Sequence, residues 1–389
     1  MIRVLMIGGE YPPHVGGVGD YTARLCQALA PREVEVAVLT SGTERQPDDG
    51  AGREHPQWVA RMVPSWGLGS YPRVVAAARA FRADVVHLQY QAGAYQLSGA
   101  TNLLPLWLRA RLPRVRVAVT FHDLRPPYLF PKAGPLRAAI VRLMANASHG
   151  VVCTEPHDLR QLGEKPGRRH IPLASNIDCA PPPGFEPRAW REARGLPATG
   201  PLVGFFGFMN ATKGVDTVLR ALALLPEAHL ALIGGESGDN NPLDHAEARR
   251  VRELEQSLDV ARRVWRSGPL PAEEVSAALL GCDVLALPFS DGASARRGTL
   301  LAALVHGCAI VTTRGPDDAL LTAGHNAVLI DPGDHQALAA ELRTLMADQP
   351  RRIQLGDGAR QLAARYAWPA IAREHEAWYA ELVGIRASP

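Results

Sequence analysis

The sequence predicts an α/β protein made of two successive halves, each a doubly wound parallel sheet. Three observations predict it. Short β-branched runs alternate with amphipathic stretches, the series begins again at Pro201, and 389 residues suit two cores at roughly 150 residues per domain. Helical crossovers between strands require parallel pairing with both sheet faces covered.

In the first half, strands are expected at residues 3–7, 34–39, 85–88, 115–121 and 150–153. The second half repeats the pattern at 202–206, 230–233, 264–265, 284–287, 309–312 and 327–330. Between them, residues 171–198 carry Pro172, Pro181, Pro182, Pro183 and Pro187, which cannot continue a helix and suit an interdomain connection. The expected domains are therefore 1–177 and 178–365, with a terminal segment 366–389. After Trp368-Pro369, the residues Ile371, His375, Trp378, Tyr379 and Leu382 share one helical face, which must cover a surface on its own half or on the other.

A hydrophobic share of 47% and a charged share of 21% are those of a folded globular chain. The net charge is only +3, and the locally basic run Arg109, Arg111, Arg114, Arg116 is too short for a nucleic-acid arm, so nucleic acid is excluded as a partner. Cys26, Cys153, Cys179, Cys282 and Cys308 form no CxxC pair, which argues against a zinc site or a disulfide framework and fits a reducing cytoplasm. The apolar start runs straight into Gly8-Gly9 and reads as a first strand, not a signal segment. No apolar run spans a bilayer, so any membrane contact is peripheral. Leu106, Trp107, Leu108 and Leu112 interleave with arginines, but Pro105 and Pro113 keep the stretch short; a buried helix with solvated arginines is expected, not a membrane surface.

Four segments carry candidate chemistry. The turn from Gly8 to Gly19, with Gly16, Gly17 and Gly19, follows a strand and precedes a helix, where backbone amides can approach an anion or a hydroxyl; the alternative is a turn that needs positive φ. Its spacing is not a tight GxGxxG and no acidic residue ends the next strand, which disfavours a dinucleotide dehydrogenase. His122-Asp123 ends the strand 115–121, at the carboxyl edge where ligands of open parallel sheets collect. A histidine there can bond a sugar hydroxyl or take a proton, or be tied to a loop carbonyl; His87 and Gln89 are expected on the same rim. In the second half Gly207, Asn210 and Lys213 lie between a strand and the helix expected at 215–225, where a lysine can neutralise a diphosphate. Asp291, Ser294, Arg296, Arg297, Gly298 and Thr299 form a second anion-binding arrangement before another helix, unless Asp291 or Ser294 merely caps it.

Taken together, Gly16-Gly17-Val18-Gly19, Thr120-Phe121-His122-Asp123, Ile171-Pro172 with Asn176, Gly207 through Lys213-Gly214, and residues 283–307 resemble the retaining, GT-B-fold glycosyltransferases of family 4, the group 1 glycosyl transferases. The match spans nearly the whole chain. The resemblance implies two Rossmann-like domains facing each other across a cleft, the first binding acceptor and the second the nucleotide sugar, with the last helix crossing back to the first. It further implies that Lys213 and the amides near Gly298 and Thr299 hold the donor diphosphate, that His122 faces the transferred sugar, and that Gly17 and its neighbours line the cleft. No metal or other cofactor is required by such enzymes, and the sugar is passed to a hydroxyl-bearing acceptor with retention. Loops 234–241 and 267–270 would meet the base and ribose.

Two departures stand out. Phe208 occupies the position of the family's phosphate-binding arginine, and the two glutamates of its E-x7-E pattern, aligned on Gly307, fall at Ser294 and Ala302. Arg296 or Arg297 is expected to replace the cation, and Asp291 or Ser294 to take over a sugar contact. The alternatives to an active transferase are a GT-B epimerase or phosphorylase and a non-catalytic nucleotide-sugar-binding protein or partner subunit, the latter favoured by the missing carboxylates.

Overall fold

The computed structural model describes residues 1–14, 16–43, 58–127, 135–209, 211–235, 242–315 and 320–384, so Asn210 lies outside the described residues. The contacts divide the chain into two compact units, Met1–Ala174 with Trp368–Pro389, and Ser175–Ala367.

The first unit runs β1 Ile2–Gly8, α1 Gly17–Leu29, β2 Val34–Ser41, β3 Val59–Val63, α2 Tyr71–Phe81, β4 Val85–Tyr90, α3 Leu104–Arg111, β5 Arg116–Phe121, α4 Pro135–Ala147, β6 Gly150–Cys153, α5 Pro156–Leu162 and β7 Arg168–His170. The strands form a parallel sheet in the order β3-β2-β1-β4-β5-β6-β7. Side chains of β1 alternate between two cores, Leu5 and Ile7 on the face covered by α2, α3 and α4, and Val4 and Met6 on the face covered by α1.

The second unit runs α6 Pro187–Glu192, β8 Leu202–Phe206, α7 Val215–Ala223, β9 His229–Ile233, α8 Pro242–Ser257, β10 Val264–Arg266, α9 Ala272–Gly281, β11 Val284–Leu287, α10 Gly298–Val305, β12 Ile310–Thr313, β13 Val328–Ile330, α11 His335–Ala347 and α12 Gln349–Ala363. Its sheet order, β10-β9-β8-β11-β12-β13, repeats that of the first unit around the reversal point. The chain then returns to the first unit with α13 Trp368–Val383, which buries Trp368, Ile371, His375, Trp378 and Tyr379 and packs beside α1.

Both units close their central strand pair in the same way. Asp84, just before β4, accepts from the amide of Arg3 at 2.8 Å and donates its own amide back to the Arg3 carbonyl. Asp283, just before β11, does the same with Leu202. An aspartate here satisfies an amide at the start of the neighbouring strand.

The proline-rich connection belongs to the second unit as far back as Ser175, and it is not wholly irregular. Pro187 opens α6, a position where the missing N–H is no loss. Arg191 of that helix is buried; it donates to the carbonyls of Gly281 at 2.7 Å and Gly200 at 3.1 Å, and pairs with Asp283 at 3.0 Å. Removing one partner of a buried pair leaves the other charge uncompensated. Arg191→Ala is therefore expected to destabilise the protein by about 3–5 kcal/mol in urea titrations, whereas exposed Arg188→Ala should change stability by less than about 1 kcal/mol.

Candidate functional site

In the second unit the strand order reverses between β8 and β11, so the loops leaving these neighbours lie side by side at the carboxyl edge. Gly214 joins them. Its φ of 71° is left-handed, and a Cβ there would overlap the carbonyl oxygen of Pro288. The amide of Ser290 donates to the Thr212 carbonyl at 3.1 Å, a second tie between the loops. Gly207, at φ 137°, leaves room for Thr299, whose methyl would stand 3.1 Å from an added Cβ.

These ties bring together Lys213, Arg297, Phe289, Thr212 and Thr299. Lys213 Nζ donates to Thr299 Oγ1 at 3.3 Å and lies 5.3 Å from the centre of the Phe289 ring. Arg297 lies 4.8 Å over the same ring, donates to Thr212 Oγ1 at 3.3 Å and pairs with Asp291. Burial, and then the neighbouring Arg297, push the Lys213 ammonium down to about 8, while Asp291 opposes the shift. Two cations beside one aromatic ring at the start of α10 form a setting that an incoming anion would relieve.

In the first unit His122 follows β5 and is 8% exposed. Its Nε2 lies 3.0 Å from Gln89 Oε1, and its ring meets Tyr21 of α1 edge-on at 4.9 Å. Asp123 turns its carboxylate onto the amide of Arg125 at 3.0 Å and accepts from Gln91 at 3.4 Å. Behind His122, His87 sits fully buried between Tyr379 Oη at 2.7 Å and Thr120 Oγ1 at 2.8 Å. Burial and the nearby His375 and His122 hold the His87 imidazole well below its ordinary value, and burial takes His375 down to about 4.

The geometry corrects several readings. The amides of Val18 and Gly19 in the first glycine turn donate to Glu10 Oε1 at 3.1 and 3.2 Å, so an internal carboxylate occupies the place expected for an anionic ligand. A Cβ at Gly16 would strike that carboxylate, whereas Gly17 has open space around it. His87 and Gln89 are interior residues and not part of a rim, because α13 covers their face. Neither Asp291 nor Ser294 caps α10: Arg297 holds the cap position without a side-chain cap bond, Asp291 pairs with it, and the Ser294 carbonyl accepts its amide at 3.1 Å. The Gly298 amide is taken by the Arg296 carbonyl at 3.1 Å. Of the two arginines, Arg297 lies beside Lys213, while Arg296 is exposed.

Residues 16–173 match the family model of the glycosyl transferase 4-like domain, and residues 200–348 that of the glycosyl transferases group 1. The chain belongs to the group 1 glycosyltransferases. It is 28% identical to a D-inositol 3-phosphate glycosyltransferase of Corynebacterium aurimucosum, over 99% of this chain and 97% of the relative. A protein of the same name from Xylanimonas cellulosilytica is 29% identical, over 92% and 89%. Among solved structures, sucrose-phosphate synthase from Thermosynechococcus elongatus superimposes with a TM-score of 0.74 at 21% identity, covering 99% of this chain and 100% of that one. Anabaena HepE in complex with UDP and glucose does so with a TM-score of 0.73 at 16% identity, covering 97% and 98%. The fold of the transferase is accordingly GT-B, with two parallel-sheet α/β domains. Among the described residues no helix is long and apolar enough to cross a membrane.

Sequence reasoning missed Glu10, Phe289, Tyr21 and Thr212. Phe289 continues the apolar run of β11, and Glu10 has no periodic signal; only the loop contacts reveal either.

The titrations set two windows of stability. His87 and His375 are bases with lowered folded pKa values, so the unfolded chain takes up protons first as the pH falls through about 6.5. Stability of the ligand-free transferase is therefore expected to rise with pH between about 4 and 6.5. Lys213 is also lowered, so its contribution rises again between about 8 and 10.5. Burial raises the thiols of Cys26, Cys282 and Cys308, and these oppose it by losing stability as the pH passes about 9. Thermal melts should therefore show the acid slope directly, and Lys213→Met should raise the melting temperature at pH 7 by more than at pH 10.

Proposed function

We propose that the transferase takes its sugar from a nucleoside diphosphate sugar held at the turn of Lys213 and Arg297, and passes it to a hydroxyl-bearing acceptor with retention of configuration. The observation that carries this reading is the pair of cations beside Phe289, with Lys213 partly desolvated and, among the described residues, only Asp291 set against the two of them. A diphosphate supplies further negative charge, and its charge grows as the sugar leaves. Arg297 stands in for the family arginine that Phe208 displaces, and side-chain cations take up the leaving charge without a metal ion. Thr299 and the first turn of α10 complete the diphosphate contact. His122 serves as the group that bonds the transferred sugar, with Gly16, Gly17, Gly19 and Asp123 on the acceptor side. UDP in the HepE complex makes uridine nucleotides the first donors to try.

Thermal stabilisation by a panel of nucleoside diphosphates and their sugars tests the donor half of the reading. One nucleotide should raise the melting temperature, and Lys213→Ala should abolish the shift. Arg297→Ala is expected to weaken that nucleotide about tenfold, or ~1.4 kcal/mol, and Phe208→Arg to restore part of the loss. An absence of any shift at millimolar nucleotide would end the nucleotide-sugar reading. With turnover in hand, His122→Ala should lower kcat about 100-fold or more, and EDTA should leave it unchanged.

A second reading, a binding protein without turnover, is favoured by Ser294 and Ala302 at the aligned glutamate positions; Ala302 is fully buried within α10. Saturable nucleotide-sugar binding with neither transfer nor hydrolysis across a polyol and sugar acceptor panel would select it.

A further inference from the structure

Behind His122 lies a buried polar chain that diphosphate binding does not use. Gln89 is fully buried, and its carbonyl oxygen is 3.0 Å from His122 Nε2. Its amide nitrogen faces Met6 Sδ at 3.7 Å and the two ring nitrogens of His87 at 3.5 Å each. The His87 nitrogens are themselves engaged at shorter range by Tyr379 and Thr120.

This environment fixes the orientation of the amide. A thioether sulfur can only accept, so it suits the NH2 group and would repel the carbonyl. Turning the amide over would place two oxygen lone pairs against that sulfur in a site closed to water, and would leave a buried acceptor without a donor. The carbonyl must then face His122, and an acceptor at 3.0 Å requires a proton on Nε2.

We propose that Gln89 is a positioning residue for His122: its carbonyl oxygen holds the imidazole in the Nε2-protonated tautomer, so that the ring lone pair, and every gain or loss of a proton, is confined to Nδ1. His87 and Tyr379 back the amide from the side of α13, which ties the tautomer of a site residue to the packing of the last helix on its own unit. A His122 fixed this way can accept a hydrogen bond only through Nδ1. The catalytic consequence rests on the reading of His122 given under the proposed function; the tautomer itself does not.

The test is spectroscopic and needs no substrate. Full-length protein labelled with 15N-histidine is examined by long-range proton–nitrogen correlation at pH 7.5, with the His122 signals assigned by their loss in His122→Gln. Wild type should show a protonated Nε2 and an unprotonated Nδ1. Gln89→Leu, which keeps the size but removes the acceptor, should shift His122 to a mixture of tautomers or to Nδ1-protonated, and Gln89→Glu should keep Nε2 protonated. A wild-type ring protonated at Nδ1, a Leu variant with the wild-type pattern, or a Glu variant that loses the Nε2 proton would each overturn the proposal. Should Gln89→Leu fail to fold, the wild-type and Glu spectra still decide. Failure of every nucleotide to bind while the expected tautomer is present would count against the transferase site and leave the role of Gln89 standing.

Discussion

The contact of Gly214 with the Pro288 carbonyl is the constraint on which the second unit's site depends. It lets the loops after β8 and β11 touch, and only a residue without a Cβ, at positive φ, can stand there. From that contact follow the bond between Ser290 and Thr212, the reach of Lys213 to Thr299, and the placement of Arg297 over the ring that Lys213 also faces. The cations are thus held by the backbone before any ligand arrives. Preorganised charge of this kind is what a reaction needs when its leaving group gathers negative charge, and its cost appears as the lowered Lys213 ammonium.

The first unit has the same strand order, the same aspartate closure and the same glycine-bearing turn after its first strand, yet it uses them differently. There the helix amides are satisfied by Glu10, from within the chain. One architecture therefore yields an anion-seeking edge in one unit and an already neutralised edge in the other. On the function proposed above, the phosphates of the donor would meet the edge whose helix amides, among the described residues, still lack an internal carboxylate.

What the sequence revealed follows from how local each signal is. Strands of the sheet interiors were legible because both their faces are buried, which makes them continuous apolar runs. The edge strands β3 and β7 were not: Val59–Val63 carries Arg61 and Met62 at half-buried positions, and Arg168–His170 has no apolar residue at all. Lys213 stood out by its place beside glycines at a helix start, but its approach to Thr299, 86 positions ahead, and to Arg297 comes from the loop after β11 and was not legible. Glu10 was not, since its partners lie eight and nine residues ahead and a lone carboxylate reads as solvated. His87 and Gln89 were assigned to a rim because they end a strand. Their burial depends on α13, whose Tyr379 lies 292 positions away from His87, a separation no local pattern encodes.

That long-range contact also explains why the interior of the first unit can carry so many polar groups. A histidine buried among apolar side chains would ordinarily cost several kcal/mol unless both its nitrogens were satisfied. His87 meets the condition with a phenol and a threonine hydroxyl, each of which can donate to or accept from a ring nitrogen. Its neutrality is enforced by burial and by the other histidines around it. The first unit therefore keeps its buried pair His87 and His375 uncharged at neutral pH. The two buried histidines are thus insensitive to pH near neutrality, whereas Lys213, brought down to about 8, is the group that a mildly alkaline change reaches first.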